Sequence, residues 1–103
     1  MTRIPNESNM SKGQEFITRY IEKFGLVVES EFQIGKYRVD CYMPELKLVV
    51  EYDGPYMSHS PKANMGRDAE LVASGKVKRV CHIRGTKPKD LKYLDSWLEG
   101  EER

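Results

Sequence analysis

Residues 37–54 read YRVDCYMPELKLVVEYDG, and this stretch decides the fold. It holds two β-rich runs, Tyr37–Met43 and Leu46–Asp53, on either side of a Pro44-Glu45 turn. Period-two alternation sets where their side chains point. In the second run Leu48, Val50 and Tyr52 face one way, and Lys47, Val49, Glu51 and Asp53 face the other. In the first, Val39, Cys41 and Met43 share a face, with Arg38, Asp40 and Tyr42 on the opposite one. A hairpin therefore gathers Asp40, Glu51 and Asp53 at one end of a sheet, on a common face. Three carboxylates there repel one another unless a cation lies between them. Hard oxygen ligands of this kind suit Mg²⁺ or Mn²⁺. Single carboxylates on strands often mark only the solvated face of a half-buried sheet; their convergence beside Gly54-Pro55, at a loop edge, is what favours a site.

Working outward, Ser11 opens a helix, with Gln14 in capping-box position. The helix runs to Phe24 and stops at Gly25, with Phe16, Ile17, Tyr20, Ile21 and Phe24 as its apolar stripe. Leu26–Ile34 reads as a strand joined to Tyr37–Met43 by a tight Gly35-Lys36 turn. After the loop GPYMSHSPKA come a short helix over 64–74 ending at Gly75, and a fourth strand over 77–84. Asp90 is expected to cap a last helix with Leu91, Leu94, Trp97 and Leu98 inward. The order α-β-β-β-α-β-α, with a helical crossover before the last strand, implies a mixed four-stranded sheet flanked by helices, an α/β (α+β) architecture. Residues 1–10 read as a flexible lead-in, and 11–103 as a single domain.

At 103 residues, 39% hydrophobic and 32% charged, the chain has the composition of an ordinary globular domain. No apolar run approaches the ~20 residues that span a bilayer. The opening MTRIPNESNM lacks the apolar core of a signal peptide, which predicts a cytoplasmic protein with Cys41 and Cys81 reduced and buried. Cys41, Cys81, His59 and His82 lack the spacing of a zinc site. The net charge of +1 hides an asymmetry: residues 62–92 carry nine basic groups against three acidic ones. A basic half beside an acidic pocket suits a polyanion, although many lysine-rich stretches are simply solvated surface.

The segments SKGQEF, YRVDCYMPELKLVVEYDG, His59 in the next loop and RDAELVASGKVKRVCHIRG together resemble the PD-(D/E)XK nuclease superfamily. The finer pattern is similar to its very-short-patch-repair-like branch, which includes mismatch endonucleases and phage EDxHD homing endonucleases. The likeness covers about residues 11 to 85. It implies a restriction-endonuclease-like core and a Mg²⁺- or Mn²⁺-dependent endonuclease acting on double-stranded DNA. By position, Asp40 would be the metal-binding acid, Glu51 the Glu of the ExK element, and Asp53 would stand at its Lys position. His59 would activate water or protonate a leaving group, and Arg67 and Arg79 would lie near phosphates. These relatives carry a Glu in the first helix where this chain has Gln14, with Glu15 beside it. They often carry an Asp where it has Asn64.

Among other residues, Lys62 is a candidate phosphate contact, and Tyr56 and Met57 are candidate wedges between bases. Tyr52, on the face of Leu48 and Val50, reads as core, and His82, within a strand, reads as structural. One domain with one site breaks one strand, so cutting both strands requires a homodimer or two sequential nicks. Two other readings remain open: a DNA-binding module that kept the fold and lost catalysis, which Gln14 and Asn64 favour, and a phage-type protein-interaction domain with the acids as surface charge.

Overall fold

The computed structural model describes residues 11–54 and 61–100. Seven elements follow the expected order: α1 (Lys12–Phe24), β1 (Glu29–Ile34), β2 (Tyr37–Met43), β3 (Leu48–Tyr52), α2 (Pro61–Ala73), β4 (Arg79–Ile83) and α3 (Pro88–Leu98). The strands form one sheet in the order β1-β2-β3-β4. The first two pairings are antiparallel and β3–β4 is parallel, with α2 as the crossover. Among the described residues no helix is long and apolar enough to cross a membrane. The expected lead-in, residues 1–10, lies outside the described residues.

Helices cover both faces of the sheet. On one, Ile17 and Ile21 of α1 and Leu94 and Leu98 of α3 bury Cys41, Met43, Leu48, Val50, Cys81 and Ile83. On the other, Leu71 of α2 packs with Ile34, Val39, Tyr42, Val49 and Val77. Two hydroxyls tie elements together: Tyr20 of α1 donates to Asp95 Oδ1 of α3 at 2.6 Å, and Tyr42 of β2 donates to the Lys76 carbonyl at 2.6 Å.

Four expectations change. The α1 stripe is narrower than read, because the helix presses Gln14, Ile17, Thr18 and Ile21 onto the sheet and leaves Phe16 and Phe24 46% and 41% exposed. Ser11 does accept the Gln14 N–H, but the Gln14 side chain turns away from the cap. The last helix opens at Pro88, a residue pre-set for a first turn; Asp90 sits inside that turn and accepts the Lys87 N–H at 3.1 Å. Val39 packs on the α2 side rather than with Cys41 and Met43. The reason is local: the β1–β2 register skips the Glu31/Asp40 step, where Glu31 has left-handed backbone (φ 51°). Both strands change face there. Val28 packs toward α1 and α3, whereas Phe32 and Ile34 pack toward α2.

Tyr52 packs against the α1 and α3 core as expected, its ring lying where a Cβ on Gly13 would stand. Gly66, in α2, has open space around its Cβ position. Alanine normally stabilises an exposed helical site by roughly 0.5–1 kcal/mol over glycine. Gly66→Ala is therefore expected to raise the melting temperature. Gly13→Ala is expected to lower it, since the methyl displaces Tyr52 from the core; thermal denaturation of both variants checks the opposite signs.

Candidate active site

The site begins where a ladder ends. β2 and β3 pair Met43 with Leu48, Tyr42 with Val49 and Cys41 with Val50, and no further. The next step would set Asp40 against Glu51. There the two acids replace backbone acceptors: Glu51 Oε2 accepts the Asp40 N–H at 3.0 Å, and Asp40 Oδ2 accepts the Tyr52 N–H at 2.8 Å. Buried N–H groups require partners, so these bonds both satisfy the strands and immobilise the carboxylates.

Glu51 is only 9% exposed. Burial, then the charge of Asp40, push its carboxyl up to about 7, with Arg67 and the Asp40 N–H pulling the other way. Burial also raises Asp40, opposed by the Tyr52 N–H and aided by the charge of Glu31. The pair therefore sits in a setting that disfavours its full double charge.

Arg67 supplies a counter-charge from α2. Its guanidinium lies 3.4 Å from Glu51 Oε1, donates to the Arg38 carbonyl at 3.0 Å, and stands 5.4 Å from the Tyr37 ring centroid. Beside it, β4 sets His82 opposite Glu51 in the parallel ladder. His82 Nδ1 is 3.0 Å from Asp53 Oδ2, and Nε2 is 2.7 Å from Asp68 Oδ2. Burial pulls the imidazolium down, but the hydrogen bond and charge of Asp68, followed by Asp53, outweigh it and the net shift is upward. A small cavity of about 110 Å³ is lined by Glu51, Asp53, Asn64, Arg67 and His82.

The structure thus brings together Asp40, Glu51, Asp53, Asn64 and Arg67 among the sequence candidates. Asp53, however, is turned to His82 rather than into one set with Asp40 and Glu51. His82, expected to be structural, is part of the cavity wall. Gln14 reaches the cluster indirectly, its Nε2 donating to Glu31 Oε2 at 2.5 Å. Glu15 lies on the solvent side of α1, paired with Arg19. Arg79 is held on the α3 side, its guanidinium 5.2 Å from the Trp97 ring, so it does not join the cluster. Tyr56, Met57, His59 and the side chain of Lys62 lie outside the described residues.

Three site residues were missed. Glu31 follows from the two-residue Gly35-Lys36 turn, which pairs Ile34 with Tyr37 and so sets Glu31 across from Asp40. Asp68 adjoins Arg67 on α2, and its approach to His82 depends on how that helix packs on the sheet. His82 depends on a parallel register across the crossover, for which no local signal exists.

Among the described residues no three His, Cys, Asp or Glu side chains form one metal-holding group. A two-carboxylate set still fits Mg²⁺, which keeps waters and completes its shell with substrate phosphate oxygens. Asp40 and Glu51 fit that role, since burial and mutual repulsion leave them short of positive charge.

The chain is thus an α+β domain with a mixed four-stranded sheet whose two inner strands carry an acid pair, Glu51 buried and Asp40 half-buried. A solved structure, the catalytic domain of the homing endonuclease I-Bth0305I, shares the fold with a TM-score of 0.59 over 88% of this chain and 91% of that one, at 20% sequence identity. No protein-family model and no curated protein matches the chain.

The environments of Glu51 and His82 each carry a prediction. Glu51 has a folded pKa of about 7 against an ordinary 4.5, so the folded state holds the extra proton between those values. Stability is then fully present below about 4.5 and falls as pH rises to about 7. Glu51→Gln is expected to remove that decline, raising stability at pH 8 by roughly 2–3 kcal/mol in metal-free buffer; denaturant unfolding across the pH range measures it. For His82, ¹⁵N NMR is expected to show both ring nitrogens protonated up to a midpoint above the ordinary 6.5. A neutral single tautomer at pH 6 would refute the double-donor arrangement.

Proposed function

We propose that the chain is a metal-dependent endonuclease that hydrolyses phosphodiester bonds of double-stranded DNA, with a PD-(D/E)XK-like site. The observation that carries this reading is the Asp40–Glu51 pair, half-buried and buried respectively, cross-bonded through the backbones of β2 and β3 and faced by Arg67. Its setting, a fold shared with a homing endonuclease catalytic domain, supports it.

Hydrolysis needs an activated water, charge stabilisation at phosphorus and a protonated leaving oxygen. A bound Mg²⁺ or Mn²⁺ supplies Lewis acidity toward the phosphate and lowers the pKa of water. Asp40 and Glu51 hold that cation, and the backbone bonds to each carboxylate keep their remaining oxygens oriented. Arg67, on the cavity wall, offers positive charge to a phosphate oxygen. His82, when protonated, neutralises one of Asp53 and Asp68, and Arg67 lies 4.0 Å from Asp68 as a second, more distant cation. His59 is assigned the proton transfer to or from the reacting oxygens. One site per chain breaks one strand, so double-strand cutting takes a homodimer or two sequential nicks.

A second reading, a binding module of the same fold without catalysis, is favoured by one observation: the amide of Gln14 is committed to Glu31, where the resemblance leads one to expect an acid on α1. Cleavage of supercoiled plasmid with Mg²⁺, Mn²⁺ or EDTA separates the two. Metal-dependent nicking is expected, reduced at least about 100-fold in Asp40→Asn, which keeps an acceptor for the Tyr52 N–H while losing the charge. Mn²⁺ is also expected to raise the melting temperature of the native chain and not of the variant. Absence of nicking with every metal, with duplex binding retained in a gel shift, would leave the binding module standing.

A further inference from the structure

A second, larger cleft of about 350 Å³ opens beyond the carboxyl ends of β3 and β4, floored by Tyr52 and walled by the loop of residues 84–90. Its lining carries Arg84, Lys87 and Lys89 against a single acid, Asp90. We propose that this cleft binds backbone phosphates of nucleic acid next to the one in the acid cavity, resting on the nuclease reading for the identity of the polyanion.

The acid in the cleft is already occupied. Asp90 accepts the Lys87 N–H at 3.1 Å and packs against Gly85, where even a Cβ would come within 2.6 Å of its Oδ2. The three cations are not so occupied. Elsewhere Arg19, Lys36, Arg38 and Arg67 each lie beside a carboxylate, while lysines such as Lys76 and Lys78 form no ion pair among the described residues; what distinguishes Arg84, Lys87 and Lys89 is that they share one cleft. Among the described residues Arg84, Lys87 and Lys89 form no ion pair. In a chain of net charge +1, three such cations around one concavity mark a place for an external anion.

The two sites lie on either face of the same end of β3. The Asp53 N–H donates to the Ile83 carbonyl at 2.7 Å, holding β3 and β4 together to their ends. Glu51 and Asp53 line the acid cavity while Tyr52, between them, lines the cleft. A phosphodiester chain that crosses this end of the sheet from the acid pair runs toward Arg84, Lys87 and Lys89. Lysines act as point charges, so the contact positions the backbone without reading bases.

The test is duplex-oligonucleotide binding in EDTA across a range of salt, comparing the native chain with an Arg84→Ala/Lys87→Ala/Lys89→Ala variant. The three side chains are surface groups, so an unchanged melting temperature serves as the folding control. The slope of log affinity against log salt is expected to become shallower by roughly 2–3, with affinity at ~0.1 M salt falling at least about tenfold. An unchanged slope overturns the proposal. Cleavage of the same duplex by the native chain with Mg²⁺ is scored separately. Cleavage with an unchanged slope removes the cleft and keeps the nuclease; a shallower slope without cleavage supports the cleft and removes the nuclease. A native chain that binds no duplex overturns both.

Discussion

The structure depends on a pair of hydrogen bonds in which side chains finish a β-ladder. Beyond Cys41 and Val50 the strands no longer bond to each other's carbonyls, and Glu51 and Asp40 accept the two N–H groups instead. A charge-assisted bond to a backbone N–H is stronger than an ordinary ladder bond, so the substitution holds β2 and β3 together at their exposed end. It also fixes two carboxylates side by side, Glu51 buried and Asp40 half-buried, and the rest of the pocket responds to that. Arg67 is drawn in from α2 although its charge is worth less to folding there than in water, a desolvation that only a partner of opposite sign offsets.

Charge is sorted around this pair in layers. Nearest is Arg67, against Glu51. Next, His82 stands between Asp53 and Asp68 and can neutralise one of them when protonated. On the β1 side, Glu31 approaches Asp40 and is met by the Gln14 amide and, at 3.7 Å, by Arg38. An amide suits that spot for a plain reason. A second carboxylate on α1 at hydrogen-bonding distance from Glu31 would require a proton or a cation between them, whereas the Gln14 Nε2 is a donor and the contact closes with no further partner.

Much of the fold was legible because local rules and tertiary packing agree. Ser11 and Gly25 bound α1, the Gly35-Lys36 turn sets the hairpin register, and alternation in Leu48–Tyr52 places Glu51 opposite Val50. The same rules failed where the chain departs from regularity. Alternation misplaced Val39 because Glu31 adopts a left-handed backbone and the hairpin changes face at that step. The stripe on α1 was overdrawn because apolar spacing alone cannot show that Gln14 and Thr18, not Phe16 and Phe24, meet the sheet. In the site, the acids of one hairpin were readable from their spacing. His82 and Asp68 arrive from β4 and α2 across a crossover whose register no turn dictates, while alternation along β4 turns Arg79, three residues before His82, to the α3 side.

The end of β3 shows how one short strand serves two opposite environments. Glu51 and Asp53 point to the α2 side, into an acid-lined cavity, while Tyr52 between them points to the α1 and α3 side. Tyr52 can lie flat there because residue 13 is glycine, and its own N–H is spoken for by Asp40. The ring is therefore fixed at both ends: its backbone belongs to the acid pair and its side chain forms the floor beneath Arg84, Lys87 and Lys89. Any shift of Asp40 is felt by the Tyr52 backbone, and any shift of the Tyr52 ring is felt by α1. Period-two geometry thus couples the acid pair mechanically to the basic side of the sheet through a single residue, with no contact needed between the charges themselves.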